Sequence, residues 1–216
     1  MAFECSITEE SGPTISFRPV NEEDVPILHE WMHQKHIYPF WKLNLSLEEI
    51  KVWVKNSISS RHKRVFMGYL NDEPVCYVIG YDVRQDPIRH FYSIEPRDMG
   101  MHLLIGPRRL LNKEDGETII RAMTLFLFEK FGANRMIGEP DYRNRIVIPI
   151  LKKLGANVIK EIQINEKRAK LVIANRNDFY QNIGDSNITS SFHLLNSPDH
   201  EWKVFNEVIK HGSSKT

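Results

Sequence analysis

The chain is poor in cysteine: Cys5 and Cys76 are the only two among 216 residues. Two isolated thiols do not make a disulfide framework, and a reducing cytoplasmic compartment is the expectation. No apolar run approaches the ~20 residues of a membrane-spanning helix. The first ten residues carry acids and lack the apolar stretch of a secretory signal. Neither charge sign dominates, because 29 basic and 28 acidic side chains leave a formal charge of +1. Bulk charge therefore gives no reason to expect nucleic acid or an anionic membrane as a partner. His29 and His33 stand four apart, but no His-Glu-x-x-His motif and no cysteine pair accompany them, so no metal is expected. Internal repeats and low-complexity segments are also missing.

What is present reads as one α/β domain. Apolar residues make up 41% of the chain, enough for a single core at this length. Residues 1–13 read as a loose leader ending in Gly12-Pro13. Thr14 to Arg18 alternates as a strand does. Asp24 is placed to cap a helix that starts at Val25-Pro26 and runs to about Gln34. Ser46-Leu-Glu-Glu49 is a capping-box pattern and opens a second helix to about Ser59. Two β-rich runs, Val65–Leu70 and Val75–Val83, flank Asn71-Asp-Glu-Pro74 and predict a hairpin. Met99–Ile105 is a further apolar run. Gly116 to Phe131 has helical periodicity and stops at Gly132. Then come a short strand over 134–138, a helix from Tyr142 to Leu154, and a closing pair, Val158–Ile164 with Ala169–Ala174. The order β-α-α-β-β-β-α-β-α-β-β predicts one mixed, mostly antiparallel sheet flanked by helices (class α/β, or α+β). The domain spans 14–175, and residues 176–216 form an extension with a helix over 198–210.

Four stretches can carry chemistry. The first is Met99-Gly-Met-His-Leu-Leu-Ile-Gly-Pro107 with the polar loop that follows. Arg108, Arg109 and Lys113 precede Gly116-Glu117-Thr118, where a helix N-terminus can receive an anion. Alone, this also reads as an ordinary β–α connection. The second is His102, inside an apolar run: a core histidine by itself, or a general base by its pKa class. The third is Gly138-Glu-Pro-Asp-Tyr-Arg-Asn144. Asp141 or Asn144 can cap the next helix, and a carboxylate beyond a strand end is also a common site position. The fourth is Trp31-Met-His-Gln-Lys-His36-Ile-Tyr-Pro-Phe40-Trp41, which suits either an aromatic lid or core packing.

Together these segments resemble the GNAT acyltransferases, and within them the siderophore-biosynthesis enzymes that acylate N6-hydroxylysine in aerobactin, rhizobactin and mycobactin pathways. The resemblance covers about residues 14–175. It rests on Trp31-Met32 with His36 and Phe40-Trp41, on Asp98-Met-Gly-Met-His102, on the basic loop to Gly116, and on Pro140-Asp-Tyr-Arg-Asn144 followed by Leu154-Gly155. It implies an acyl-CoA cleft between the fourth and fifth strands, with acetyl-CoA or another acyl-CoA as co-substrate and no metal. It implies His102 and Asp141 at the reaction centre. Leu104, Ile105, Arg108, Arg109, Lys113, Gly116, Glu117, Thr118, Arg143 and Asn144 are then expected at the CoA, and His36, Phe40, Trp41 and Asp98 at a small-molecule N-hydroxyamine or amine. Two departures stand out. The usual Gln/Arg-x-x-Gly-x-Gly/Ala loop keeps one glycine here, and Leu151 occupies the place of the family's thiolate-protonating tyrosine.

The expected reaction is direct transfer from acyl-CoA to nitrogen, because neither cysteine is placed to form an acyl-enzyme. His102 removes the proton, a backbone N–H near Leu104 stabilises the oxyanion, and Asp141 either orients His102 or binds the acceptor. Two readings compete. One is acetylation of another amine: an aminoglycoside, a polyamine or a protein N-terminus. The other is a weakly catalytic CoA-binding module.

Overall fold

The structure is a computed structural model and describes residues 3–9, 12–184 and 188–192. Nine strands are described: β1 (Cys5–Glu9), β2 (Thr14–Pro19), β3 (Lys63–Leu70), β4 (Glu73–Tyr81), β5 (Asp98–Ile105), β6 (Arg135–Gly138), β7 (Ala156–Ile164), β8 (Lys167–Asn175) and β9 (Ile188–Phe192). The helices are α1 (Val25–Met32), α2 (Tyr38–Trp41), α3 (Leu47–Ile58), α4 (Lys113–Phe131), α5 (Val147–Lys153) and α6 (Arg176–Ile183). The strands form one sheet in the order β7-β8-β6-β5-β4-β3-β2-β1-β9. Every pairing is antiparallel except β5 with β6. This is the predicted mixed sheet, and from β2 to β8 the element order agrees apart from the added short α2. No helix among the described residues is long and apolar enough to cross a membrane.

Local chemistry explains the boundaries. Ser46 and Glu49 cap α3 reciprocally: the Ser46 amide donates to Glu49 Oε2 at 2.9 Å and the Glu49 amide to Ser46 Oγ at 3.4 Å. Asn71 and Asp72 take positive φ, 46° and 70°, which lets the β3–β4 turn match the twist of its strands. Gly132, at φ 57°, ends α4.

Alternation sorts the strand side chains to two faces. Phe66, Val78, Met99, Met101 and Val172 pack toward α4, α5 and α6, with Phe17 stacked on Phe126 at 4.5 Å. Val65, Met67, Tyr77, Ile79, Leu104 and Ile173 pack toward α1 and α3, against Leu28, Trp31, Ile50 and Val54.

Four features differ from what the sequence leads one to expect. The leader is not loose over residues 5–9: β1 pairs with β2 and β9, Cys5 and Ile7 are buried, and Lys130 Nζ sits 2.5 Å from Glu4. The extension is likewise joined to the sheet through α6 and β9, while the helix expected over 198–210 lies outside the described residues. Asp24 precedes α1 but makes no side-chain cap to it. Its oxygens take two hydrogen bonds from buried Arg18, at 2.6 and 2.8 Å, and Arg18 also donates to Tyr69. The helix expected from Tyr142 begins at Val147, because residues 140–142 still bridge β8: Lys170 N donates to Pro140 O and Tyr142 N to Arg168 O.

Candidate active site

β5 and β6 pair at three levels only, from Asp98–Arg135 to Gly100–Ile137. β6 then ends at Gly138 and its continuation bridges β8, while β5 runs on to Ile105. The strands part, and a cavity of about 710 Å³ fills the opening. Counted from β2, these are the fourth and fifth strands, where the cleft is expected. The β5 edge facing it is unpaired beyond Gly100. The β4–β5 ladder sets Tyr77 opposite Leu104, and Gly106 N donates to Val75 O at 2.9 Å. Alternation turns the amides of His102 and Leu104 toward β4 and those of Leu103 and Ile105 into the cleft. The cleft-facing amides nearest Leu104 are therefore those of its two neighbours.

His102 stands where the strands separate, its side chain one-third exposed and lining the cavity. The ring stacks on Tyr81 at 4.8 Å, with Trp41 edge-on at 6.3 Å. Its Nδ1 lies 3.5 Å from Glu139 Oε1, an ion-pair distance rather than a full hydrogen bond. Glu139 also accepts from Lys167 Nζ at 3.2 Å and from the Tyr81 hydroxyl at 3.4 Å. Burial and the Glu139 charge hold the Tyr81 phenol well above its usual pKa, so it stays a donor.

Glu139 is 8% exposed. Burial pushes its carboxyl up, but the facing charges of His102 and Lys167 and the Lys167 hydrogen bond outweigh this, and the net value lies below the ordinary one. A pKa lower in the folded than in the unfolded chain gives stability above the unfolded value, lost as pH falls through the folded one. The difference in unfolding free energy between the native chain and Glu139→Gln is thus expected to narrow as pH is lowered from about 5. A difference that stays flat or widens down the same denaturant series contradicts this charge pairing.

Asp141 lines the cavity but is bound by Arg143, whose Nε and backbone N–H donate at 2.9 Å and whose second nitrogen donates at 3.0 Å. Those hydrogen bonds hold its carboxyl below the usual range. The carboxylate in contact with His102 is that of Glu139. Arg143 lies over the Phe40 ring at 5.9 Å, so Asp141, Arg143 and Phe40 form one rim. A second, polar pocket shares that rim and is bounded by Lys42, Asp86, Glu166 and Arg168.

The other expected residues divide. Leu104, Ile105, Asn144, His36 and Trp41 line the cavity. Asn144 Oδ1 also accepts from Ile146 N and Val147 N and so closes the turn that leads into α5, whose N-cap residue is Ile146. His36 Nε2 bonds Gly106 O at 3.0 Å, and the Trp31 ring lies over Gly106, where a Cβ would meet it at 2.1 Å. Arg108, Arg109, Lys113, Gly116, Glu117 and Thr118 do not line the cavity. The expected phosphate loop is largely helix: α4 begins at Lys113, Asn112 accepts from the amides of Glu114 and Asp115, and two acids fill the first turn. Gly116 is buried in α4, where a Cβ would lie 3.4 Å from both Ile150 and Leu110 O. Arg109 pairs with Glu73, and Glu117 with Arg121 and Lys153. Asp98 is no acceptor ligand: its side chain is fully buried and bonded by Arg135 on β6 at 2.7 Å.

Tyr81, Glu139, Lys167, Lys63 and Arg145, which no motif in the sequence singles out, all line the cavity or touch His102. Glu139 was legible by strand parity, since Ile137 and Glu139 continue one face of β6. Lys167 was not, because β8 brings it from far along the chain. Both thiols, Cys5 and Cys76, lie away from the cavity, and burial pushes each up to about 12, which removes them as nucleophiles.

Known proteins fit this geometry. Residues 20–164 match the acetyltransferase (GNAT) domain family. An N-hydroxyputrescine acetyltransferase of Acinetobacter baumannii is 28% identical over 75% of this chain and 77% of its own. An N(6)-hydroxylysine O-acetyltransferase of Escherichia coli is 29% identical over 79% of this chain and 55% of its own. The crystal structure of an uncharacterized Bacillus halodurans protein superposes with a TM-score of 0.78 at 32% identity, over 84% of this chain and 96% of that one. With a family match over most of its length, and a split sheet bearing a histidine at the point of separation, the chain belongs to the GNAT acetyltransferases.

Proposed function

We propose that the protein transfers an acyl group from acyl-CoA to the nitrogen of an N-hydroxylated aliphatic amine, N6-hydroxylysine or a diamine counterpart, as a step in siderophore biosynthesis. The observation that carries this is His102, fixed by Glu139 and Tyr81 at the mouth of an apolar cleft that meets a polar pocket. The names of the Acinetobacter and Escherichia relatives support the acceptor class.

The donor's pantetheine arm fits between β5 and the α4–α5 side, against Leu103, Leu111, Ile120 and Met123. Arg145, exposed at the rim, is a cation for its phosphates in place of the departed glycine loop. The cleft-facing amides of Leu103 and Ile105 suit the thioester oxygen as it gains charge. The acceptor enters past Phe40, Asp141 and Arg143. A hydroxylamine nitrogen is less basic than an alkylamine and arrives neutral, so His102 takes its proton as the C–N bond forms, and that proton passes on to the CoA thiolate as the C–S bond breaks. Glu139 on Nδ1 leaves Nε2 as the basic nitrogen and stabilises the imidazolium that results. Asp141, kept anionic by Arg143, binds the hydroxylamine.

The polar pocket disfavours an aminoglycoside. Its acids Asp86, Glu139, Asp141 and Glu166 are matched by Lys42, Arg143, Lys167 and Arg168, which leaves no acidic well for a polycation. CoA-thiol release should therefore be at least tenfold faster with N6-hydroxylysine or N-hydroxyputrescine than with lysine, spermidine or kanamycin. Equal rates across that panel remove the N-hydroxyamine assignment. Binding of CoA without release in any assay returns the protein to the binding-module reading.

A further inference from the structure

The cavity holds one cation that the reaction as derived does not use. Lys63 opens β3, is half-buried, and lines the same cavity as His102. It continues the alternation of Val65, Met67 and Tyr69, so it stands on the α1–α3 face, with Tyr77, Ile79 and Tyr81. In the sheet it is opposite Tyr81, which is opposite Gly100, two residues before His102. Two strand spacings and two residues along a strand separate the Lys63 and His102 backbones by about 12 Å. A lysine's four-carbon stem is long enough to span about half of such a gap.

Leu43, Trp53 and Ile79 line the same cavity, and Ile79 lies across from Val65, two residues along β3 from Lys63. Among the described residues the ammonium has no carboxylate partner. The cations nearer the reaction centre are different, since Lys167 is paired with Glu139 and Arg143 with Asp141. Burial alone holds the Lys63 pKa below the ordinary lysine value. A half-desolvated, unpaired cation costs free energy that an incoming anion recovers.

We propose that Lys63 binds a carboxylate of the substrate, so that the enzyme selects a carboxylated substrate over its uncharged homologue. The inference rests on the acyl-transfer reading above. One source of the carboxylate is the acceptor, as the α-carboxylate of an N-hydroxylated amino acid. The other is the donor, as the far carboxylate of a dicarboxylic acyl group.

Two matched pairs separate these sources. The acceptor pair is N6-hydroxylysine against N-hydroxycadaverine, the same molecule without the carboxylate, both with acetyl-CoA. The donor pair is succinyl-CoA against butyryl-CoA, both with N-hydroxycadaverine. The native enzyme is expected to favour the carboxylated member of one pair by roughly tenfold or more in kcat/KM, the scale of a charge-assisted contact. Lys63→Met should reduce that preference to below about threefold and leave the neutral member's rate in place, and Lys63→Arg should retain it. A preference in neither pair, or one that survives in Lys63→Met, overturns the assignment. Calorimetric binding of the same compounds reads the carboxylate preference without turnover. Binding preference without turnover in any combination therefore sinks the acyl-transfer reading and leaves Lys63 standing. Turnover without preference does the reverse.

Discussion

Replacing His102 with alanine is expected to lower kcat for acyl transfer by roughly 10²–10⁴-fold, the usual worth of a positioned general base. At 1.36 kcal/mol per decade this is about 3–5 kcal/mol of transition-state stabilisation. The KM for acyl-CoA should change little, because the cleft walls and the β5 edge amides do not depend on the imidazole. The reason for so large an effect is the absence of a substitute. Asp141 is held by Arg143 through three hydrogen bonds, and Tyr81 is a phenol held well above its usual pKa. Glu139 is buried and faces His102 and Lys167. No thiol lines the cavity. Rate measurements at saturating donor decide the point: a loss well under tenfold, with the fold intact, removes His102 from the chemistry.

The largest stability effect is expected away from the cleft, at Asp24. Arg18 and Asp24 are 6% and 4% exposed, and both terminal guanidinium nitrogens reach the carboxylate. Asp24 also accepts from Asn21 N at 2.9 Å, closing the turn into α1. Asp24→Ala leaves a buried arginine without its anion, which typically costs about 3–5 kcal/mol. For a chain of this size each kcal/mol shifts Tm by about 2–4 °C. The pair itself contributes less than its rupture costs, because both charges give up water to form it. The double change Arg18→Met with Asp24→Leu should therefore recover much of the loss. Urea unfolding of the single and double variants separates the two outcomes, and a single variant within 1 kcal/mol of the native chain contradicts a desolvated pair.

Between β2 and β8 the fold was legible because its signals are local. Ser46 and Glu49 cap α3, Asn71-Asp72 turns the hairpin, and Gly132 stops α4. β1 was not legible, since its short alternation of Cys5 and Ile7 with Ser6 and Thr8 becomes a strand only by pairing with β2 and with β9, far along the chain. Asp24 looked like a helix cap because capping is the nearest use for an aspartate before Val25-Pro26. The arginine that claims it comes from β2. Asp98 looked like a ligand through its neighbours Met99 to His102, and nothing local announces that parallel pairing brings Arg135 beside it.

The site was read in outline. The cleft lies between the expected strands, and His102 lines it. The motif around Asp141 drew notice away from Glu139, two residues earlier on the same strand face, which makes the contact with the imidazole. The basic stretch from Arg108 to Thr118 matched a phosphate loop in composition. Asn112 and the acids at 114 and 115 make it instead a capped helix start whose amides are already partly used.

Acylation at the nitrogen of an N-hydroxyamine has its own chemical signature. The direct measurement gives the enzyme acetyl-CoA with equal N6-hydroxylysine and lysine and follows the product as its ferric complex. Transfer to the hydroxylamine nitrogen makes a hydroxamic acid, which colours with iron(III); transfer to its oxygen, or to the lysine amine, does not. Hydroxamate is expected in step with CoA release, with little acetyl-lysine. CoA release without hydroxamate, or with acetyl-lysine as the main product, contradicts transfer to that nitrogen.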